Sequence, residues 1–194
     1  FLRSSSASLP AQVMLSLAET FKAPVIEAYG MTEAAHQMTS NPLPPRPQKP
    51  GSVGVAAGPL VRVAHEVENR LIDGTGEVVI SGANVTPGYE GNPDANAKSF
   101  FEAEGHRWFR TGDQGAFDGD GYLHLRGRLR NMYITSFGRN VSPEWVEREI
   151  SCEPGIRQVL VHGEARPHAV ALIVPESADT TPDVIERAIA NANR

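Results

Sequence analysis

Three short segments hold side chains that together could bind a nucleotide. The first, Tyr29-Gly-Met-Thr-Glu33, follows a predicted strand and offers an aromatic face, a hydroxyl group and a carboxylate. A hydroxyl can hydrogen-bond to a phosphate oxygen, and a carboxylate is a preferred ligand of Mg²⁺. The alternative is a strand followed by a turn, in which Thr32 is the N-cap of a helix. Both interpretations stay open on these residues alone.

The other two segments each contribute one charged group. Trp108-Phe-Arg-Thr-Gly-Asp113 places a carboxylate directly after a glycine. Such a group can accept hydrogen bonds from two ribose hydroxyls, and the alternative is an aspartate that stabilises a tight turn. Gly127-Arg128 follows across the Asp120-Gly121 turn. A hairpin there would bring Arg128 close to Asp113, whereas the alternative is a surface arginine.

The elements that position the first segment are a helix and a strand. Residues 10–22 predict an amphipathic helix, whose apolar side chains recur at helical spacing and are Val13, Met14, Leu17 and Phe21. A short buried strand over Pro24-Val25-Ile26 leads into Tyr29. Residues 41–51 are rich in proline, which excludes a helix and predicts an extended loop.

Residues 52–126 predict a compact β-rich subdomain, because short β-type runs alternate there with glycine turns. These runs are Val61-Arg-Val63, Glu77-Val-Val-Ile80 and Tyr122-Leu-His-Leu125. Trp108 is expected to be a packing residue.

The pattern changes again after a predicted hinge at Gly127-Arg128. A strand at Met132-Tyr-Ile134 precedes a helix that starts at Ser142-Pro143, with Ser142 as its N-cap, and ends near Ile150. The remaining predicted elements are strands at Val159-Leu-Val161 and Ala169–Val174 and a helix from Thr181-Pro182 with Ile185 and Ile189 on one face. The order β-α-β-β-α suits a small α+β domain.

Composition excludes several classes of protein. The chain has 194 residues and a formal net charge of −5, with no run of Lys or Arg, so neither nucleic acid nor an acidic membrane surface is an expected partner. No apolar run is long enough for a transmembrane segment. The single cysteine, Cys152, excludes a disulfide framework and predicts a reducing compartment such as the cytoplasm. Because the chain opens with Phe1, we expect it to be part of a longer protein.

In order and spacing, the three segments resemble the adenylate-forming superfamily of acyl-CoA synthetases, luciferases and peptide-synthetase adenylation domains. Other matching motifs are Lys49-Pro-Gly-Ser-Val-Gly54, Gly76-Glu77-Val78, Gly88-Tyr89 and Asp120-Gly-Tyr-Leu123. The resemblance implies an α/β and α+β fold. Residues 1–50 would end the large α/β domain, residues 51–126 would form its β-barrel-like subdomain, and residues 127–194 would form a small C-terminal α+β domain.

Members of this superfamily use Mg²⁺ and ATP to convert a carboxylate into an acyl-adenylate, and many then transfer the acyl group to coenzyme A. The resemblance implies that Tyr29 and Gly30 lie near adenine, that Thr32 binds the α-phosphate and that Glu33 binds Mg²⁺. Asp113 and Arg128 would hold the ribose. Thr32, Glu33 and Arg128 are therefore the candidate catalytic residues.

The resemblance also assigns residues beyond the nucleotide. Arg130 stands at the family's hinge position, where Asp or Lys is more usual, and Gly138 in Ser136-Phe-Gly138 would contact the pantetheine arm of coenzyme A. Residues 134–147 are most similar to bacterial long-chain-type synthetases, whereas residues 1–126 are most similar to oxalate–CoA ligases. By that narrower resemblance, Ser6 and His36 would bind the distal carboxylate of a small acid.

The sequence departs from the family in two places. The family's phosphate-binding loop is absent, and none of the lysines, which are Lys22, Lys49 and Lys98, stands at the position of the catalytic lysine. We therefore expect the C-terminal part of an ATP-dependent carboxylate–CoA ligase, with the remainder of the large domain upstream. One alternative is a non-catalytic module that binds AMP or ATP with half of the site. Another is a peptide-synthetase adenylation domain that loads a carrier protein.

Overall fold

The computed structural model describes residues 1–5 and 7–192. The chain divides into two compact units, Phe1–Leu125 and Arg126–Arg194, and each is described by itself. The three-part organisation expected from the sequence, with boundaries after residues 50 and 126, stays a prediction. Within the described residues, no helix is long and apolar enough to span a membrane.

The first unit begins with a β-α-β arrangement. Strand β1 (Leu2–Ser4) lies parallel to β2 (Val25–Tyr29), and helix α1 (Ala11–Phe21) connects them. The predicted helix and strand are both present. Met14 packs with Leu9 and Val25 in the core. Only part of the predicted apolar face is buried, because Leu17 packs against this core while Val13 and Phe21 are exposed.

Two very short strands extend this sheet. Strand β3 (Thr39–Ser40) lies antiparallel to β2, and β4 (Val55–Ala56) lies antiparallel to β3, so the strand order is β1-β2-β3-β4. Residues 41–51 form neither helix nor strand, as their prolines predict. This proline-rich loop is attached to the body by Asn41, whose side chain bonds to the main chain of Ser52 and Lys49.

The second sheet is nearly closed and resembles a barrel, and its strand β10 continues past Leu125, the last residue of the first unit. Its strand order is β10-β9-β7-β5-β6, and β8 pairs with β9. The strands are β5 (Leu60–Ala64), β6 (Leu71–Ile72), β7 (Gly76–Ser81), β8 (Phe100–Ala103), β9 (His106–Phe117) and β10 (Leu123–Arg128). Helix α2 (Pro93–Ser99) precedes β8. The predicted strands and the packing role of Trp108 are confirmed, because alternate side chains of β7 and β9 enter two separate apolar clusters.

The second unit is a small α+β domain. Its elements are β11 (Tyr133–Ile134), β12 (Asn140–Val141), α3 (Pro143–Ser151), β13 (Ile156–His162), β14 (Val170–Pro175) and α4 (Pro182–Ala192). The two helices and the β13–β14 hairpin share a core that includes Ile150, Val161 and Ala188. Strand β12 was not predicted, since two residues are too few to show a periodicity.

Two details of the second unit differ from the sequence prediction. Ser142 occupies the N-cap position of α3, but its hydroxyl donates to the carbonyl of Arg126 at 2.6 Å and caps no helical N–H. On α4, Ile185 packs into the core, whereas Ile189 is 40% exposed. The buried face is set by Ala188, whose small side chain permits close packing of α3 and α4.

Candidate functional site

The candidate site is built around the turn that follows β2. Residues Thr32–Ala34 form one turn of 3-10 helix, and Met31 occupies the cap position in an extended conformation. Thr32 lies inside the turn and its side chain is exposed. The alternative interpretation of Thr32 as a helix N-cap is therefore wrong. The exposed hydroxyl is available at the carboxyl end of β2.

Gly30 is required by the path of this turn. A Cβ atom at this position would lie 1.2 Å from the carbonyl oxygen of His36. The chain therefore folds back directly over Gly30, and the N–H of Met38 donates to the carbonyl of Tyr29 at 2.9 Å. A glycine adjacent to the aromatic ring is thus explained by close approach of the backbone.

Tyr29 and Asp113 meet although they lie on different sheets. The hydroxyl of Tyr29, at the end of β2, donates to Oδ2 of Asp113 on β9. Asp113 is 7% exposed. The arrangement pairs an aromatic ring with a carboxylate, which are the two groups that the resemblance assigns to adenine and ribose.

Asp113 stands at an irregularity within β9. The register between β7 and β9 shifts at this point, and Gly112 has a φ of +74°. The alternative in which Asp113 stabilises a tight turn is therefore wrong, because the residue lies inside a long strand. Glu77 holds the distortion, since its carboxylate accepts from the N–H of Gly112 at 3.0 Å and forms an ion pair with Arg110. Such distortions redirect side chains near functional sites.

Glu33 is held by residues of a single segment, 84–89, between β7 and α2. Its main-chain carbonyl accepts from the N–H of Thr86 at 2.7 Å, and its Oε1 accepts from the hydroxyl of Tyr89 at 3.0 Å. Burial and the adjacent Glu33 carboxylate both raise the pKa of Tyr89 above its ordinary value. In the sequence, Tyr89 stands out only as part of the Gly88-Tyr89 motif. An isolated tyrosine after a glycine carries no local signal of which carboxylate it will meet.

The oxygen atoms around Glu33 suit a cation whose other ligands are water molecules and substrate phosphates. Across residues 1–5 and 7–192, no group of three or more His, Cys, Asp or Glu side chains could hold a metal ion by itself. Mg²⁺ is usually bound through one or two carboxylates together with water and substrate phosphates. A partly exposed glutamate with one carboxylate oxygen fixed by Tyr89 fits that mode of binding.

His36 is exposed and directly follows the turn that carries Thr32 and Glu33. It has a φ of +82°, and Ala35 before it has a φ of +47°, a conformation that non-glycine residues adopt only when their surroundings impose it. The next residue, Gln37, accepts from Nη2 of Arg3 on β1 at 3.1 Å and donates to the carbonyl of Ala57 at 3.0 Å. Ser6 lies outside the described residues.

The remaining predicted site residues belong to the second unit. Arg128 ends β10, Arg130 lies in a 3-10 turn over Leu129–Asn131, and both side chains are exposed. Strands β9 and β10 are neighbours, which confirms the predicted hairpin. The pairing of Arg128 with Asp113 stays a prediction.

Gly138 lies in the exposed loop between β11 and β12. It has a φ of +75°, a conformation that favours glycine, and its N–H donates to the carbonyl of Thr135 at 2.9 Å. A Cβ here would meet no atom within 4 Å, so the glycine is required by backbone conformation and not by packing.

Residues 1–90 match the family model described as "AMP-binding enzyme". The chain is 47% identical over 165 residues to an oxalate–CoA ligase of Arabidopsis thaliana, an alignment that covers 84% of this chain and 31% of that protein. The corresponding protein of Saccharomyces cerevisiae is 44% identical over 164 residues, covering 84% of this chain and 30% of that protein. A sulfoacetate–CoA ligase of Cupriavidus necator is 35% identical over 193 residues, covering 97% of this chain and 37% of that protein.

Solved structures of ATP-binding enzymes also match this chain. ATP-bound MatB from Rhodopseudomonas palustris superposes with a TM-score of 0.81 at 30% identity, covering 97% of this chain and 38% of that one. This chain therefore spans about a third of the length of the relatives that it matches. The matched motifs, the barrel-like sheet and the likeness to solved adenylate-forming enzymes agree, and the chain belongs to the adenylate-forming superfamily of AMP-binding enzymes.

Proposed function

We propose that this chain carries the adenosine-binding and magnesium-binding part of an ATP-dependent acid–CoA ligase. The observation that carries the proposal is the assembly beside one turn, where Tyr29 meets Asp113 and Glu33 meets Tyr89. An aromatic ring, a ribose acceptor and a metal-binding carboxylate are thereby within one unit of the fold. The relatives named as CoA ligases support this assignment.

In the proposed first step, a carboxylate oxygen of the acid attacks the α-phosphorus of ATP and the bond to pyrophosphate breaks. Negative charge develops on the α-phosphate oxygens, and hydrogen-bond donors placed there lower the barrier. We assign that role to the hydroxyl of Thr32 on its exposed turn. Mg²⁺, when bound at Glu33, would neutralise charge on the phosphates. Asp113 and Arg128 would hold the ribose.

In the proposed second step, the sulfur of coenzyme A attacks the acyl carbonyl and AMP leaves. Gly138 would lie against the pantetheine arm, and Arg130 would be the hinge of the small domain. The phosphate-binding loop and catalytic lysine would come from residues outside this chain. The presence of a single cysteine supports the proposal that the protein acts in a reducing compartment such as the cytoplasm.

The proposed substrate is a small acid with a second negative group, such as oxalate. Oxalate and sulfoacetate, which the names of two kinds of relative contain, both carry two negative groups. A second charge needs polar partners, and we assign His36 and Ser6 to it. The bond from Arg3 to Gln37 supports this assignment, because it joins β1 to the turn that carries His36.

The test is acid-dependent exchange of pyrophosphate into ATP by the native protein, with oxalate, sulfoacetate and acetate compared. We expect exchange with oxalate to exceed exchange with acetate by at least about tenfold. Acetate lacks the second negative group, so the polar side chains assigned to that group would be left without a partner when acetate binds. His36→Ala should raise the KM for oxalate without changing that for ATP. His168→Ala, which removes an exposed histidine of the β13–β14 loop, is the matched control.

Failure would take one of two forms. Exchange with an apolar acid but not with oxalate would support the proposed ligase activity and contradict the assignment of a doubly charged acid as its substrate. No exchange with any acid, together with measurable binding of AMP, would identify the non-catalytic nucleotide-binding module instead.

A further inference from the structure

Segment 84–89 contacts Glu33 at its main chain and at its side chain. The N–H of Thr86 donates to the Glu33 carbonyl at 2.7 Å, and the hydroxyl of Tyr89 donates to Glu33 Oε1 at 3.0 Å. We propose that Tyr89 is a positioning residue, which holds the Glu33 carboxylate in the orientation that binds a divalent cation. This inference rests on the proposed function, because that function places the cation at Glu33.

Tyr89 is itself fixed by a pair of hydrogen bonds from one side chain. Its N–H donates to Oδ1 of Asn96 at 2.7 Å, and Nδ2 of Asn96 donates to its carbonyl at 2.9 Å. Gly88 permits this contact, because a Cβ there would lie 2.8 Å from Oδ1 of Asn96 and the residue has a φ of +151°. Asn96 belongs to α2, whose first turn is capped by Asn92. The main chain of Tyr89 is therefore anchored to a helix.

The turn that carries Glu33 is fixed from the same segment. Nδ2 of Asn84 donates to the carbonyls of Ala34 and Gln37, at 2.8 Å and 3.2 Å. Both partners of the Tyr89–Glu33 contact are thus fixed in position: Tyr89 by its bonds to Asn96, and the turn of Glu33 by the bonds from Asn84. A glutamate has several rotatable bonds, and ordering it before the cation arrives strengthens cation binding.

The chemistry of the donor matters as well as its position. A tyrosine hydroxyl is a neutral donor with one proton, so it orients the carboxylate without cancelling its negative charge. A lysine or arginine at this place would compete with the cation. Partners of this kind, which bond to a metal-binding carboxylate and not to the metal, typically change metal affinity by about 10-fold to 100-fold when removed.

The test measures binding of Mn²⁺, a spectroscopically visible substitute for Mg²⁺, to the native protein with a non-hydrolysable ATP analogue. Electron paramagnetic resonance reports free Mn²⁺ directly and needs no turnover. Tyr89→Phe should weaken Mn²⁺ binding about tenfold, and Glu33→Gln should weaken it more. Tyr133→Phe is the matched control, since the described part of the chain offers its buried hydroxyl no hydrogen-bond partner. It should bind Mn²⁺ as the unmodified protein does.

A double-mutant cycle shows whether Tyr89→Phe acts through the Glu33 carboxylate or through a general disturbance of the fold. Glu33→Asp shortens the side chain by one methylene and moves the carboxylate out of reach of Tyr89. In that background Tyr89→Phe should cause no further loss of Mn²⁺ affinity, because the contact that it removes is already absent. A full tenfold further loss would contradict the proposal.

The outcomes distinguish this inference from the function on which it rests. Unchanged Mn²⁺ affinity in Tyr89→Phe, with a loss in Glu33→Gln, overturns the inference and leaves the proposed function. Unchanged affinity in both variants, with no binding of the ATP analogue, overturns the proposed function. If Tyr89→Phe fails to fold, Asn96→Ala keeps the hydroxyl but releases the main chain of Tyr89 from helix α2. That variant must then lose Mn²⁺ affinity, and unchanged affinity overturns the inference.

Discussion

Asp113 combines burial, a negative charge and a bond from the hydroxyl of Tyr29. A carboxylate has about four lone-pair positions on its two oxygens, so one group can accept from tyrosine and from ribose. Asp113→Asn keeps the shape but removes the charge, and the proposed function predicts that AMP binds about 10-fold to 100-fold more weakly. Isothermal titration with AMP measures this.

The matched control for that experiment is Asp73→Asn, which changes an exposed carboxylate in a turn far along the chain from either partner. It should bind AMP normally. Equal AMP affinity in both variants would contradict the assignment of Asp113 to the ribose.

Gly30 makes a second prediction at the residue scale, because its Cβ position is occupied by the carbonyl oxygen of His36 at 1.2 Å. Gly30→Ala must displace the turn and should lower the free energy of unfolding by about 1–3 kcal/mol. Gly119→Ala is the matched control, since a Cβ there meets no atom within 4 Å. Its effect should stay within about 0.5 kcal/mol. Chemical denaturation distinguishes the two, and equal losses would argue against the close approach.

At the scale of elements, the proline-rich loop 41–51 is joined to the turn between β9 and β10 by charges. Nζ of Lys49 lies 2.6 Å from Oδ2 of Asp118 and 2.7 Å from Oδ2 of Asp120. The ring nitrogens of His124 lie 3.1 Å from the carbonyl oxygen of Gly51 and 3.0 Å from Oδ2 of Asp118. This cluster holds the loop against the barrel-like sheet.

The cluster predicts how stability depends on pH. The hydrogen bond from Lys49 holds the pKa of Asp118 well below its ordinary value of 3.8, and bonds from His124 and the main chain add to this. A lowered pKa in the folded state contributes stability above pH 3.8, and that contribution is lost as the pH falls below it. The urea midpoint should therefore fall between pH 6 and pH 3. Asp118→Asn should be less stable at pH 6 and show a smaller fall, whereas an undiminished fall would contradict the role of Asp118.

The short motifs that form the site were recognisable in the sequence because their residues are adjacent. Tyr29, Thr32 and Glu33 lie within five consecutive residues. Their order together with the segments that carry Asp113 and Arg128 led to the expectation of a nucleotide site, whereas these three residues alone left a simple strand and turn equally open. The contact of Glu33 with Tyr89 spans 56 positions and was not predicted. It depends on a helix cap and on a glycine with positive φ in another segment, and neither feature has a local signal pointing to Glu33.

At the scale of the whole molecule, apolar side chains remain on the surface of both units. In the β13–β14 hairpin, Leu160 and Leu172 are paired across the strands and are 59% and 71% exposed. Contiguous exposed apolar surface binds hydrophobic dyes. Leu172→Thr should lower the fluorescence of such a dye with a change in stability of at most about 0.5 kcal/mol. Its neighbour Ile173 packs into the core, so Ile173→Thr should destabilise by more than about 1 kcal/mol.

Measurement of dye fluorescence and of thermal unfolding on the same samples checks this prediction. A loss of stability in Leu172→Thr as large as that in Ile173→Thr would mean that the outer face of the hairpin is packed in the folded protein.

The amino-acid sequence by itself determined the types and order of most elements, the superfamily and the glycines that its motifs require. These properties are local, because periodicity and turn chemistry act over a few neighbouring residues. The tertiary structure decided which side of α1 is buried, that Asp113 stands at a strand irregularity and that Tyr89 holds Glu33. Each of these depends on contacts between residues far apart in the chain, and their partners are set by how the sheets pack and not by the identity of adjacent residues.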